Sequence, residues 1–303
     1  LKFDYHDFNK KRLSEILSKF GGVNKVKVLY ISTYDSNYTR TEYLLSLFKK
    51  SKINFEAILL GESKLKYLKA IIELRENQNK FDVIFLAFRG QEILPFIKLF
   101  SNKPIIFDAF VSIYDTLCYD RRIFYPNSIF GKFFKWYDSL LCKISSIVLV
   151  DTKTNKEYFE KEFNVRNVEY LYVGCNEDLF KPKKFTKRGN NKIIFWYGYA
   201  NPLQGVDIIL KSAKILEKDN RIKFRLVGPI RKKYSILINS LNLKNVEFVD
   251  FIPYEKLPDE INKSDICLGG HFSNIPKANR VIAGKTFQFL SCNKPTIVGD
   301  NEA

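Results

Sequence analysis

From Val26 onward the chain alternates short β-rich runs with longer amphipathic segments, and this alternation constrains the fold more than any other feature. VKVLYIS is followed by TRTEYLLSLFKKS, INFEAILL, a helical stretch over Lys64–Asn77 and FDVIFLAF. The rhythm continues through Glu92–Phe100, KPIIFDA, the aromatic stretch FFKWYDSLLCK, SSIVLVD, Lys153–Phe163 and VEYLYVG. Strands linked by crossover helices pair in parallel, and helices then cover both faces of the sheet, so such strands are apolar throughout. Residues 174–192, GCNEDLFKPKKFTKRGNNK, are polar, basic and aperiodic, which predicts a linker. Beyond them the pattern restarts with KIIFWYG, a helix over Gly205–Lys218, IKFRLVG, a helix over Arg231–Leu241, NVEFVDF, a short helix near Pro258–Lys263, DICLGG, a helix near Ala283–Ser291 and KPTIVGD. The expected architecture is α/β, with two Rossmann-like lobes built on parallel sheets: an N-terminal lobe over 1–173 and a C-terminal lobe over 193–303.

Helical spacing supports this reading. Val206, Ile209, Leu210, Ala213 and Leu216 fall on one helical face and are expected to pack on the second sheet. Leu13, Ile16, Leu17 and Phe20 do the same ahead of Val26, with Gly21-Gly22 as a C-terminal stop, so a leading helix should pack on the first lobe.

The chain has 303 residues, 46% of them hydrophobic, which is enough for two cores. Fifty Lys and Arg against 33 Asp and Glu give a net charge of +17, favouring anionic partners such as phosphorylated small molecules or acidic lipid. No RNA- or DNA-binding motif is present, and the aromatic residues mostly occupy core positions, so nucleic acid is not expected. Five scattered cysteines without a C-x-x-C pair suggest neither a disulfide framework nor a zinc site and fit a reducing cytosol. Only His6 and His271 are available, so no metal centre and no metal cofactor is expected. No apolar run approaches the roughly 18 residues of a membrane span.

In open α/β sheets ligands bind beyond the carboxyl ends of the strands, so the loops that follow strands carry the functional information. YGYANPLQG (197–205) joins a strand to a helix, and exposed amides there suit a phosphate. GGHFSNIPKANRVIAGKTFQF (269–289) sets Lys277, Arg280 and Lys285 around a loop and a helix start, where cations and amides together can clamp a diphosphate. His271 is expected to be a loop histidine. In the first lobe FDAFVSIYDTLCYDRR (107–122) places Asp108, Asp115 and Asp120 among aromatic rings, a combination suited to a polyhydroxylated acceptor. STYDSNYTR (32–40) is expected to line the same side, without the spaced glycines of a dinucleotide fingerprint. Lys132, Lys135 and Lys143 flank Phe133, Phe134, Trp136 and Leu140; core packing is the expected role of these apolar residues, with contact to an anionic leaflet as the alternative.

The run YGYANPLQGVDIILKSAKIL, FRLVG, NVEFVDFIPYEKLPDEINKSDICLGG, KTFQFLSCNKPTIVGD closely resembles the donor lobe of GT-B fold nucleotide-sugar glycosyltransferases of the family-four, or group 1, type. VGCNEDLFKP resembles that family's linker entry, and KPIIFDAFVS its first-lobe strand and loop. The resemblance implies hexosyl transfer from a nucleoside-diphosphate sugar to a saccharide or lipid-linked acceptor in glycan or cell-surface polysaccharide synthesis, usually with retention and without a metal. It implies a cytoplasmic enzyme, peripheral to the inner face of the plasma membrane where the acceptor is lipid-linked. Gly198, Asn201 and Gln204 match the first donor loop, Val249 to Ile252 the segment that meets the base, and Lys277, Arg280, Lys285 and Gln288 the segment that contacts diphosphate and sugar. Asp108 and Asp115 are the acceptor-side candidates for orienting or deprotonating a hydroxyl. The sequence departs from the family at several positions: Gln204 stands where a lysine is common, Arg280 and Gln288 where it has paired glutamates, and the common acceptor-side histidine is missing, its nearest match being Asp108 or Phe110. Family members also continue past the equivalent of Ala303, so an incomplete C-terminal end is expected. The alternatives are an inactive GT-B-like scaffold or basic binding module, and a nucleotide-sugar epimerase of the same fold.

Overall fold

The computed structural model describes residues 4–21, 25–33, 38–61, 65–185 and 189–303, and the chain divides into two compact units, 1–174 and 175–303. In the first unit β1 (Lys27–Ser32), β2 (Asn54–Leu59), β3 (Val83–Leu86), β4 (Ile105–Asp108), β5 (Ile147–Val150) and β6 (Val168–Tyr170) form one sheet in the order β2-β1-β3-β4-β5-β6. All its pairings are parallel. Every residue of β3, β4 and β5 is buried, as expected where helices cover both faces. The helices are α1 (Tyr5–Ser18), α2 (Thr39–Lys50), α3 (Lys66–Asn77), α4 (Leu94–Phe100), the single turn α5 (Ile113–Asp115), α6 (Ile129–Ile144) and α7 (Lys153–Phe163).

The leading helix α1 packs on this unit. Asp4 caps its first amides, and Leu13, Ile16 and Leu17 are buried. Asn9 holds it to the sheet's edge by donating to the Tyr43 hydroxyl and the Tyr172 carbonyl while accepting from the Tyr172 amide. Phe20 lies past the helix end and is half-buried; Gly22 of the expected stop lies outside the described residues.

Helix α6 departs from expectation. Phe133 and Trp136, expected in the core, are exposed, and the helix buries Gly131, Asp138, Leu141 and Cys142 instead. The apolar residues of this stretch outnumber the positions that one helical face can bury against a sheet.

The second unit is a parallel sheet of β7 (Lys192–Tyr197), β8 (Ile222–Val227), β9 (Val246–Val249), β10 (Ile266–Leu268) and β11 (Thr296–Ile297) in the order β11-β10-β7-β8-β9. Its helices are α8 (Val206–Ile215), α9 (Ile230–Lys233), α10 (Ser235–Leu241), α11 (Leu257–Lys263) and α12 (Gly284–Ser291). Val206, Ile209, Leu210 and Ala213 of α8 are buried as the spacing predicts, whereas Leu216 is not: α8 tightens into a 3-10 turn at that residue, which rotates it off the face. Much of the segment read as a linker packs into this unit. Phe180 is fully buried, Ser291 donates to its carbonyl, and Asn262 bridges the Lys181 carbonyl and the Lys183 amide. Residues 186–188 of that segment lie outside the described residues. All five cysteines are buried free thiols.

Candidate functional site

The strand order reverses between β10 and β7, so the loops leaving those two strands flank the crevice in which a doubly wound sheet holds its ligand. The β7 loop begins at Gly198, whose amide donates to the Val227 carbonyl at 3.0 Å. At Gly228, after β8, φ is +135° and an added Cβ would run into the Gly198 carbonyl, so only glycine allows these two loops so close together. The β7 and β10 loops also lock to each other. Phe272 donates its amide to the Gln204 carbonyl, and Gly205 sits at φ +65° where a Cβ would lie 2.6 Å from the Phe272 carbonyl carbon.

Lys285, the second residue of α12, projects into this junction. Its Nζ donates to the Tyr197 carbonyl at 3.1 Å and to Gln204 Oε1 at 2.6 Å, and lies 4.3 Å from the centre of the Trp196 ring. Among the described residues no carboxylate pairs with it. Burial therefore holds its ammonium well below the usual lysine range. His271 is buried beside it with Nδ1 lacking a hydrogen-bond partner among the described residues. Burial first, then the charges of Lys285 and Lys277, push this imidazole down to about 3, so it is neutral at physiological pH. Lys277 is buried too, on the 3-10 turn Pro276–Asn279. Among the described residues the buried Thr286 hydroxyl has no partner, and no side chain caps the start of α12. Buried lysines, polar atoms without partners among the described residues and an uncapped helix start are together an arrangement that can receive an anion.

The donor-side residues named from sequence thus divide. Gly198, Gln204 and Lys285 come together, and Lys277 is close enough to depress His271. Gln288 is turned inward: its Oε1 accepts from the Tyr197 hydroxyl and its Nε2 donates to Tyr254 at 3.3 Å, so both ends of the amide are engaged within the protein. Arg280 is half-buried, with Nε 3.5 Å from the Pro276 carbonyl. Asn201 is exposed at the start of the β7 loop, and its carbonyl accepts from the Gln204 amide. Val249 and Ile252 are half-buried at the end of β9, where the Val249 carbonyl accepts from Gly228. His271 and Trp196 went unrecognised as site residues; the first is one histidine in a basic loop, and the second reads as core in an apolar strand. A cavity of about 800 Å³, lined by Ile193, Lys223, Asn245 and Asp265 among others, lies at the opposite, amino-terminal end of these strands. Parallel-sheet ligands do not bind at that end, so the loop geometry outweighs cavity size in locating the site.

In the first unit Asp108 corrects the expectation of a catalytic carboxylate. It is fully buried, and Arg40 donates to both of its oxygens, from Nη2 at 2.8 Å and Nε at 3.1 Å. The guanidinium also donates to the carbonyls of Leu171 and Tyr172. Asp108 is therefore a structural counter-ion, out of reach of an acceptor beyond the sheet edge. Asp115 is buried in α5, where its amide donates to Ser112 Oγ. Neighbouring Asp138, not singled out from sequence, accepts from the Ser112 hydroxyl at 2.7 Å and the Tyr114 amide at 2.9 Å. Burial pushes it up to about 6 despite these bonds, and Asp115 adds to the rise. Over the carboxyl ends of β1, β3 and β4 three half-buried rings meet: Tyr38 stacks on Phe88, and Phe110 meets Phe88 edge-on beneath the Arg40 guanidinium. Residues 34–37 of the expected lining lie outside the described residues.

Residues 178–269 match the family model described as Glycosyl transferases group 1. The chain has the GT-B fold. The match covers Gly198, Asn201, Gln204, Val249 and Ile252 and stops before Lys277, Arg280, Lys285 and Gln288. Among solved structures, Anabaena HepE in complex with UDP-glucose is similar at 15% identity, with 91% of this chain and 81% of that one covered and a TM-score of 0.63. Sucrose-phosphate synthase from Thermosynechococcus elongatus is 14% identical over 91% of this chain and 82% of its own, with a TM-score of 0.66. A Listeria monocytogenes structure provisionally assigned as a UDP-N-acetylglucosamine 2-epimerase is 11% identical over 90% and 79%, with a TM-score of 0.54. No curated protein sequence matches the chain.

Proposed function

We propose that this protein is a retaining, metal-independent hexosyltransferase that uses a nucleoside-diphosphate sugar as donor and a saccharide or lipid-linked hydroxyl as acceptor, in glycan or cell-surface polysaccharide synthesis. The observation that carries this reading is Lys285, buried with no carboxylate partner among the described residues, beside a His271 Nδ1 that has no hydrogen-bond partner among them, at the point where the strand order reverses. In glycosyl transfer the bond from the anomeric carbon to the diphosphate oxygen breaks and its electron pair stays on the diphosphate. A cation already desolvated and held by Tyr197, Gln204 and Trp196 stabilises that charge as it develops, without reorganising solvent. Lys277 and the open amides of α12 add to the same field. Gln204, in place of the family's common lysine, orients Lys285 through the 2.6 Å bond, so one cation serves from a different element.

With Asp108 committed to Arg40, the departing diphosphate oxygen is the base that takes the acceptor's proton as the new bond forms from the acceptor oxygen to the anomeric carbon. The rings of Tyr38, Phe88 and Phe110 offer the acceptor's sugar an apolar face, and Asp115 lies buried in the short helix α5 that follows Phe110. The structural likeness to the Listeria chain supports a second reading, an epimerase acting on the same donor.

Calorimetric titration with UDP, GDP and their sugar conjugates tests the donor site. One nucleotide should bind saturably, and Lys285→Ala should weaken it by roughly 2–3 kcal/mol, the worth of a hydrogen bond to a charged group. Absence of binding by all of them would remove the transferase reading. Incubation with the bound sugar nucleotide and candidate acceptors then separates transfer, which releases nucleoside diphosphate, from epimerisation, which leaves it attached to an altered sugar.

A further inference from the structure

Helix α6 and the loop before it carry an apolar surface that the fold leaves uncovered. Ile129 is 85% exposed, Phe130 58%, Phe133 49% and Trp136 58%, and in the preceding loop Ile123 is 56% and Tyr125 85% exposed. Steps of four and three residues put Ile129, Phe133 and Trp136 on one side of the helix, and the rings continue from one to the next. Phe124 lies 5.1 Å from Phe130 and 5.6 Å from Phe134, and Phe133 lies 5.5 Å from Phe134 and 5.9 Å from Trp136, centre to centre. The opposite side of the helix is anchored in the core through Asp138, Leu141 and Cys142, so this face is held outward by a fixed element.

Charge accompanies the rings. Residues 121–137 contain Arg121, Arg122, Lys132 and Lys135 and no aspartate or glutamate. Arg121, Arg122 and Lys132 are exposed, while Lys135 pairs with Glu162 at 2.6 Å. An exposed aromatic surface with charge of one sign, unpaired among the described residues, from Arg121, Arg122 and Lys132, complements a surface that is apolar below and anionic at its boundary. Tryptophan and tyrosine settle at the headgroup level, arginine meets lipid phosphates, and an amphipathic helix lies in the plane of the interface. Among the described residues no helix is long and apolar enough to cross a membrane, so α6 would lie on the bilayer, not span it.

We infer that the surface from Arg121 to Trp136 seats the first unit on an anionic lipid bilayer, with α6 in the headgroup plane. The inference goes beyond the catalytic reading and does not depend on it, because it can be measured without any nucleotide.

The chain has two tryptophans, Trp136 and the fully buried Trp196, so a change in emission on lipid reports on α6. Vesicles of phosphatidylcholine, alone or with one third replaced by phosphatidylglycerol, are the probes, with flotation measuring partition. On the anionic vesicles Trp136 should shift to the blue and become protected from iodide, on neutral vesicles it should not, and salt should weaken the effect. Arg121→Glu with Arg122→Glu should lower partition by about twenty-five-fold or more, from roughly fivefold per charge removed. Phe130→Ser with Phe133→Ser should abolish the blue shift while the protein still unfolds in one cooperative thermal transition, since both side chains are about half exposed. Failure to float with anionic vesicles at low ionic strength, or equal partition of wild type and both variants, would overturn the inference. So would a concentration-dependent dimer in sedimentation that the Phe130→Ser, Phe133→Ser variant dissolves, because the surface would then belong to a second copy of the chain.

Discussion

The two units each bury a cation near the carboxyl ends of their strands, and they treat it in opposite ways. In the first, Arg40 is fully buried and matched by Asp108 and two backbone carbonyls. In the second, Lys285 is buried against two neutral oxygens and an aromatic ring, near another buried lysine and an imidazole whose Nδ1 has no partner among the described residues. The helix starts differ in degree: Asp4, Ser112, Ser128 and Thr152 cap α1, α5, α6 and α7 of the first unit, while α2, α3 and α4 there and α8 to α12 of the second unit begin without a side-chain cap among the described residues. Compensated charge and capped amides are finished structure. Uncompensated charge and open amides are stabilised further by an arriving anion.

That contrast is most severely tested by removing the counter-ion in the first unit. Asp108→Ala strands a buried guanidinium and should cost about 3–5 kcal/mol in denaturant unfolding. A cost below about 1 kcal/mol would show that Arg40 does not depend on Asp108 and would return that carboxylate to candidacy for catalysis. In the second unit the corresponding change should do the reverse. Lys285→Met should leave stability within about 1 kcal/mol, because relief of desolvation offsets two lost hydrogen bonds, while nucleotide binding falls as described above; a large loss of stability would make Lys285 structural.

Third in size is the effect of pH. A folded His271 near 3 against an unfolded value near 6.5 means that the unfolded chain binds more protons, so stability rises with pH across that interval. Its contribution is complete above about 6.5 and is lost as pH falls towards 3, amounting to about 2 kcal/mol between pH 6.5 and 5. His271→Asn should flatten this slope, and pyrophosphate should reduce it in the wild type by favouring the charged imidazole. The smallest effect belongs to the caps: Ser128→Ala, which removes the acceptor for the Gly131 amide, should cost about 1 kcal/mol in thermal unfolding without changing nucleotide affinity.

Much of the fold was legible because parallel α/β architecture writes itself locally: each buried strand is an apolar run, and each crossover helix has its own periodic face. The α8 face from Val206 to Ala213 emerged as its spacing predicts, and α1 packed where its apolar residues pointed. Leu216 failed because the helix tightened before reaching it. Failure at Phe133 and Trp136 had a different cause: a sequence shows that a residue is apolar, and not whether the fold has room to bury it. Asp115 remained a candidate among buried carboxylates, yet Asp138 beside it had no signal inside the aromatic run FFKWYDSLL.

By itself the sequence determined the two-unit parallel α/β plan, which loops follow the carboxyl ends of the strands, and the cationic character of the second unit's candidate site, since all three depend on residue type and short-range spacing. The tertiary structure decided which charges are matched. Arg40 and Asp108 lie 68 positions apart, and Lys285 and Gln204 lie 81 apart. Whether a buried charge is neutralised or left open depends on pairings over such separations, which only folding brings within the few ångströms where electrostatics acts.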